Sequence, residues 1–137
     1  MTWGIIPARS GTMVVRMEHL FTTERVGDVM VVEFRTTSLM NPAELEKLST
    51  ALYELVDDEG EPRRLLIDFT RVKYLSSQAI GIVITLHKKI SQREGGQLML
   101  CGVGPSLSNL LKITRLDRIL RITATQEEAL RPPAAGQ

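Results

Sequence analysis

Two adjacent serines, Ser76 and Ser77, stand where a brief strand pattern, Lys73 to Leu75, meets a long helical pattern. A hydroxyl at that position can do two things. It can cap the helix by accepting a backbone N–H, which contributes roughly 0.5–2 kcal/mol. It can also carry a phosphoryl group, because the positive end of a helix dipole tolerates about −1.5 to −2 of added charge. A partner packed over the helix start would then face a bulky, hydrated dianion. Losing even ~3 kcal/mol weakens binding more than a hundredfold. On residue types alone, plain capping by Ser77 is the favoured reading.

The other groups capable of chemistry are scattered. Cys101, the single cysteine, is flanked by Leu100 and Gly102 in an apolar run and reads as a small core hydrophobe. A lone cysteine excludes an internal disulfide framework and any multi-cysteine zinc site. His87 falls in a helical pattern beside Lys88 and Lys89 and reads as solvated helix surface, while His19 opens the first strand pattern. No motif sets either imidazole beside a nucleophile. Asp57, Asp58, Glu59 and Glu61 lack the alternating oxygen ligands of a calcium loop and read as a solvated turn. No phosphate-binding glycine loop, dinucleotide fingerprint or nucleophile elbow occurs. A small hydrolase using Ser77 would need a base that nothing here supplies. The residues point to no catalytic centre, no metal and no cofactor, and favour a binding protein over an enzyme.

Composition sets the frame for those groups. The chain has 137 residues, 43% hydrophobic and 24% charged, which suits one domain. Six aromatic residues leave aliphatic side chains to fill the core. Seventeen Lys and Arg against sixteen Asp and Glu give a formal net charge of +1. That balance argues against nucleic acid as a partner. No stretch approaches the ~20 apolar residues that span a bilayer, so no direct membrane insertion is expected. The start of the chain does not read as a secretory signal, and a cytoplasmic location is expected.

The elements that must position the serines follow from periodicity. Residues 1–16 read as a flexible N-terminal extension, 17–131 as the domain and 132–137 as a tail. Residues 19–26 and 29–35 predict two strands joined at Gly27-Asp28. Asn41-Pro42-Ala43-Glu44 starts a helix with Leu45, Leu48, Leu52, Leu55 and Val56 on one stripe, ending at Gly60. Residues 64–69 predict a strand buried on both faces. A brief strand at 73–75 precedes a helix over 77–94, with Ala79, Ile82, Val83, Leu86 and Ile90 as its packing face. A strand at 97–103, a helix opened by Pro105, a strand at 119–122 and a helix from Thr125 to Leu130 complete the chain. This alternation predicts an α/β fold: a mixed, mostly parallel sheet, an N-terminal antiparallel hairpin and about four helices.

The stretch from Leu66 to Gly81, LIDFTRVKYLSSQAIG, resembles the STAS domain, and within it the bacterial anti-sigma factor antagonists. Asp68, Val72, Tyr74, Leu75, Ser77, Ile80 and Gly81 hold matching positions. The likeness continues through GGQLMLCGVGPSLSNLLKITRLDRIL and covers residues 17–131. It implies a STAS-like single-domain fold and a binding switch that regulates transcription through sigma-factor release. In that scheme the antagonist binds an anti-sigma factor that is also a serine kinase. Phosphorylation of the serine at the helix start ends the complex, and a serine phosphatase resets it. The matching serine is Ser77, with Ser76 as alternative acceptor. Ser76, Ser77, Gln78, Ile80, Gly81 and Ile84 are the implied partner-binding residues.

The chain departs from the family pattern at four places. Ser76 replaces an acid, Gln78 the second serine and Ala79 a glycine, and Thr36-Thr37-Ser38-Leu39 falls where the family carries an acidic loop. An alternative expectation therefore stands beside the first: a STAS scaffold, never phosphorylated, within a sensory or membrane lipid-transport complex.

Overall fold

In the computed structural model, residues 6–9, 12–14, 20–57 and 63–131 are described. Trp3, His19, Asp58, Glu59, Gly60, Glu61 and the tail at 132–137 lie outside them. Within the extension, β1 (Ile6–Arg9) and β2 (Thr12–Val14) pair antiparallel.

The main sheet begins with the expected hairpin, β3 (Phe21–Val26) and β4 (Val29–Phe34), in register from Phe21 opposite Phe34 to Val26 opposite Val29. Gly27 takes φ +63° in the two-residue loop, a conformation glycine adopts without a Cβ penalty. Next to β4 lies β6 (Arg64–Asp68), then β8 (Gln97–Cys101) and β9 (Arg121–Thr123), all parallel. The order is β3-β4-β6-β8-β9. A separate two-residue ladder joins β5 (Ser38–Leu39) to β7 (Tyr74–Leu75), also parallel.

Residue parity along the strands divides the core in two. Val32, Leu65, Ile67, Leu98 and Leu100 pack with α1 (Pro42–Val56), α2 (Ser77–Ser91) and α3 (Pro105–Ile113). Val29, Val31, Leu66, Met99 and Cys101 form the other face, against Ala129 of α4 (Gln126–Leu130). Leu65, Leu66 and Ile67 are each 0% exposed, so β6 is buried on both faces as its apolar run requires. The short α4 is held by Arg121, whose guanidinium donates to the carbonyls of Ala129 at 3.1 Å and Glu128 at 3.0 Å. Those are carbonyls that a helix end leaves without partners.

Several boundaries differ from the sequence expectation. Asn41 caps α1 by accepting from the Glu44 N–H at 3.1 Å, but the helix stops at Val56 rather than Gly60. Asp57 stands at its C-cap, and consecutive carboxylates at the negative end of a helix dipole oppose its extension. The second helix ends at Ser91, and the chain turns through Gly95 at φ +73°. A 3-10 turn, Leu116–Arg118, takes up Ile119 and Leu120, whose N–H groups both donate to Leu116 O. The last strand therefore begins at Arg121 instead of Ile119.

Arg115, just after the C-cap of α3, adopts φ +63°, where a Cβ is unfavourable and glycine is usual. Arg115→Gly should raise the unfolding free energy by about 1 kcal/mol in urea titration. An unchanged or lowered midpoint would contradict this account of the turn.

Candidate functional site

The start of α2 is set by the small ladder. Thr37 O accepts from the N–H groups of both Lys73 (2.8 Å) and Tyr74 (3.1 Å), and Ser76 N donates to Leu39 O at 3.1 Å. Ser76 is thus the last extended residue, with φ −97° and ψ 168°. Its Oγ accepts from the Ala79 N–H at 3.3 Å, and its carbonyl accepts from Ile80 N, also at 3.3 Å. The N-cap is therefore Ser76, not Ser77 as the sequence suggests. The correction has a plain cause: the strand pairing ends at Ser76, so that residue is the last extended one and its hydroxyl is left to cap the helix.

Ser77 becomes the first helical residue and is exposed, as is Gln78. No carboxylate occupies the first turn of this 15-residue helix, so the positive end of its dipole is uncompensated there. Ser77, Gly81 and Ile84 lie at i, i+4 and i+7 and share one strip of the helix. Gly81 and Ile84 are half-buried, and a Cβ built at Gly81 would meet nothing within 4 Å. Ile80 is only 7% exposed and joins the main core, so it shapes the strip from beneath. Sequence reasoning missed two neighbours, Tyr74 at 62% exposure and Met40 at 49%. Alternation in β7, which turns Leu75 inward, was the available signal for Tyr74.

Below the loop that leads to Ser76 sits Asp68, 6% exposed at the end of β6. Its Oδ1 accepts from Thr70 N at 2.8 Å and Thr70 Oγ1 at 2.5 Å, and its Oδ2 from Gln126 Nε2 at 2.6 Å. Burial pushes this carboxyl upward. The hydrogen bonds from the Thr70 hydroxyl, Gln126 and the Thr70 amide together outweigh it and hold the pKa below the ordinary 3.8. Gly102, at φ +64°, lets β8 pass close to this turn; a Cβ there would meet Thr70 N at 2.8 Å. A cleft of about 230 Å³ opens beside the turn, lined by Phe69, Lys73, Leu75, Pro105 and Ser106 among others.

The STAS domain pattern matches residues 21–129. The chain belongs to the STAS domain family. It is 31% identical over 91 residues to a protein of Bordetella bronchiseptica described as an anti-sigma factor antagonist, BtrV; this spans 66% of this chain and 76% of that one. The solved structure of an anti-sigma-factor antagonist (STAS) domain protein from Planctomyces limnophilus is 26% identical, covering 80% of this chain and 93% of that one, at TM-score 0.70. The phosphorylated form of SpoIIAA from Bacillus is 19% identical, covers 80% and 96%, and shares the fold at TM-score 0.66. Family membership is thus that of the anti-sigma factor antagonists, and the architecture is the STAS fold with its four helices.

Within this STAS chain the remaining reactive groups are poorly placed for catalysis. Cys101 is fully buried, and burial together with the charge of Asp68 pushes its thiol up to about 12. His87 is half-buried rather than on solvated helix surface, with its Nδ1 buried, and it lies ten residues along α2 from Ser77. That is about 15 Å of helix axis, too far for a serine–imidazole pair. Among the described residues no three His, Cys, Asp or Glu side chains gather into a metal site, and no helix is long and apolar enough to cross a membrane.

The two serines should separate in stability measurements. Ser76→Ala removes the cap and should cost about 1 kcal/mol, whereas Ser77→Ala should stay within about 0.5 kcal/mol of the parent. Equal losses would return the cap to Ser77. For Asp68, a depressed folded pKa means its contribution is present above about pH 4 and lost as pH falls through the folded value. The stability gap between the parent and Asp68→Asn should therefore shrink on acidification from pH 7 to pH 3. A gap that holds constant would show that the charge contributes nothing.

Proposed function

We propose that this chain is an anti-sigma factor antagonist acting as a phosphorylation-controlled binding switch in the cytoplasm. Unphosphorylated, it docks through the start of α2 on an anti-sigma factor that is also a serine kinase, and the sigma factor is released. The kinase transfers the γ-phosphoryl group of ATP to Ser77 Oγ, with loss of the hydroxyl proton and departure of ADP. A serine phosphatase hydrolyses the ester and restores the binding form.

The observation that carries this reading is the division of labour between the two serines. Ser76 caps α2, while the Ser77 hydroxyl is exposed and, among the described residues, makes no hydrogen bond. A phosphate at Ser77 lands at the positive end of an intact helix without breaking the cap. Ser76 is the weaker acceptor, since it is half-buried and its oxygen is engaged by Ala79 N. The relatives named as anti-sigma factor antagonists support the class of partner.

One observation favours the second reading, a STAS scaffold that binds without modification. Segments 35–41 and 69–78, which surround Ser77, hold no carboxylate where the family pattern has acids.

Incubation of the full chain with a candidate kinase partner and ATP, followed by phosphosite mapping, separates the two. The switch predicts one phosphate on Ser77, its loss in Ser77→Ala, and failure of Ser77→Asp to hold the partner. No phosphate on Ser77, together with undiminished binding by Ser77→Asp, would support the scaffold instead.

A further inference from the structure

Parallel strands β4, β6 and β8 end on one edge, and the loops leaving that edge carry an uneven charge. Segments 35–41, 69–78 and 102–106 contain Arg35, Arg71 and Lys73 and no carboxylate. All three cations are exposed, and among the described residues none makes an ion pair or a side-chain hydrogen bond. Some cations elsewhere are engaged, such as Arg64 with Asp28, Lys89 with Asp57, and Arg121 with the end of α4; what marks this edge is that its loops hold cations with no carboxylate among them. The carboxylates bordering the three segments sit inside elements, Glu33 in β4, Asp68 in β6 and Glu44 in the first turn of α1.

Two large apolar side chains protrude from the same edge. Tyr74 projects from β7, and Met40 directly follows β5, its parallel neighbour, so both stand near Ser76 and Ser77. Lys73 also lines the cleft between the β6–β7 loop and the start of α3. Phosphate-rich occupants fit this surface less well than a protein. Three cations on a chain of net charge +1 give modest attraction to nucleic acid or an anionic bilayer, whereas exposed aromatic and methionine side chains suit an interface core.

We infer that the protein partner meets this edge with an acidic surface, setting carboxylates against Arg35, Arg71 and Lys73 and an apolar side chain against Tyr74 and Met40. The inference deepens the antagonist reading and rests on it for the location of the docking site. It also adds a repulsive component to the switch, because a phosphate on Ser77 brings about two negative charges toward the partner's carboxylates.

The test uses the full chain at low salt and follows backbone amide shifts. The probes are a Glu/Leu-rich acidic peptide, its Lys/Leu counterpart, a short DNA duplex and phosphatidylglycerol vesicles. The acidic peptide should shift amides in 35–41 and 69–78, while the basic peptide leaves them in place. Arg71→Glu with Lys73→Glu should weaken the acidic peptide about tenfold or more, as should raising the salt. No shifts at this edge, or tighter binding of DNA or vesicles than of the acidic peptide, would overturn the inference. Neither kinase nor ATP is present, so the outcome is separate from that of phosphosite mapping. An unphosphorylated Ser77 with these shifts present would end the switch and leave the acidic docking face standing.

Discussion

One backbone hydrogen bond, from Ser76 N to Leu39 O, decides where α2 begins and so which serine faces outward. It extends the two-residue β5–β7 ladder by one residue and keeps Ser76 extended. Ser76 is thereby left to cap the helix with its hydroxyl, and Ser77 is released to the surface. Had the pairing run one residue further, Ser77 would have been the natural cap and its oxygen would have been engaged. An exposed hydroxyl with no structural duty can be modified without unfolding anything.

The ladder needs a firm support, and the buried end of β6 provides it. Asp68 gathers the Thr70 turn from one side and Gln126 of α4 from the other, joining the loop below Ser76 to the far face of the sheet. Gly102 allows the close passage of β8 that this arrangement requires. Behind it, Leu65, Leu66 and Ile67 anchor the strand in both halves of the core. The scaffold is thus rigid and aliphatic where it must hold position. The edge that carries Ser77 bears Arg35, Arg71, Lys73, Met40 and Tyr74 on that support.

Much of this was legible in the sequence, for identifiable reasons. The antiparallel hairpin, the buried β6 run and the Asn41-Pro42 helix start each depend on local chemistry, and each formed as expected. The α/β class followed from the serial order of such elements, and the STAS fold from the resemblance carried by Leu66 to Gly81 and the segments after it. What local chemistry did not disclose were features made by distant pairing. Two-residue strands such as β5 leave no periodic signal, so the role of Leu39 was hidden and the cap was assigned to the wrong serine. The Asp68–Gln126 contact joins residues far apart in the chain, and Met40 stands exposed in the short link between β5 and α1. His87 looked solvated beside two lysines, yet it is half-buried.

The central claim is that one phosphate on Ser77 abolishes binding while leaving the fold intact. The most direct measurement compares stoichiometrically phosphorylated and unmodified chain by calorimetric titration against the purified anti-sigma factor, alongside their melting curves. The account predicts affinity lowered more than a hundredfold, which corresponds to about 3 kcal/mol, with superimposable melting transitions. Equal affinities, or a loss of binding accompanied by unfolding of the phosphorylated chain, would contradict it.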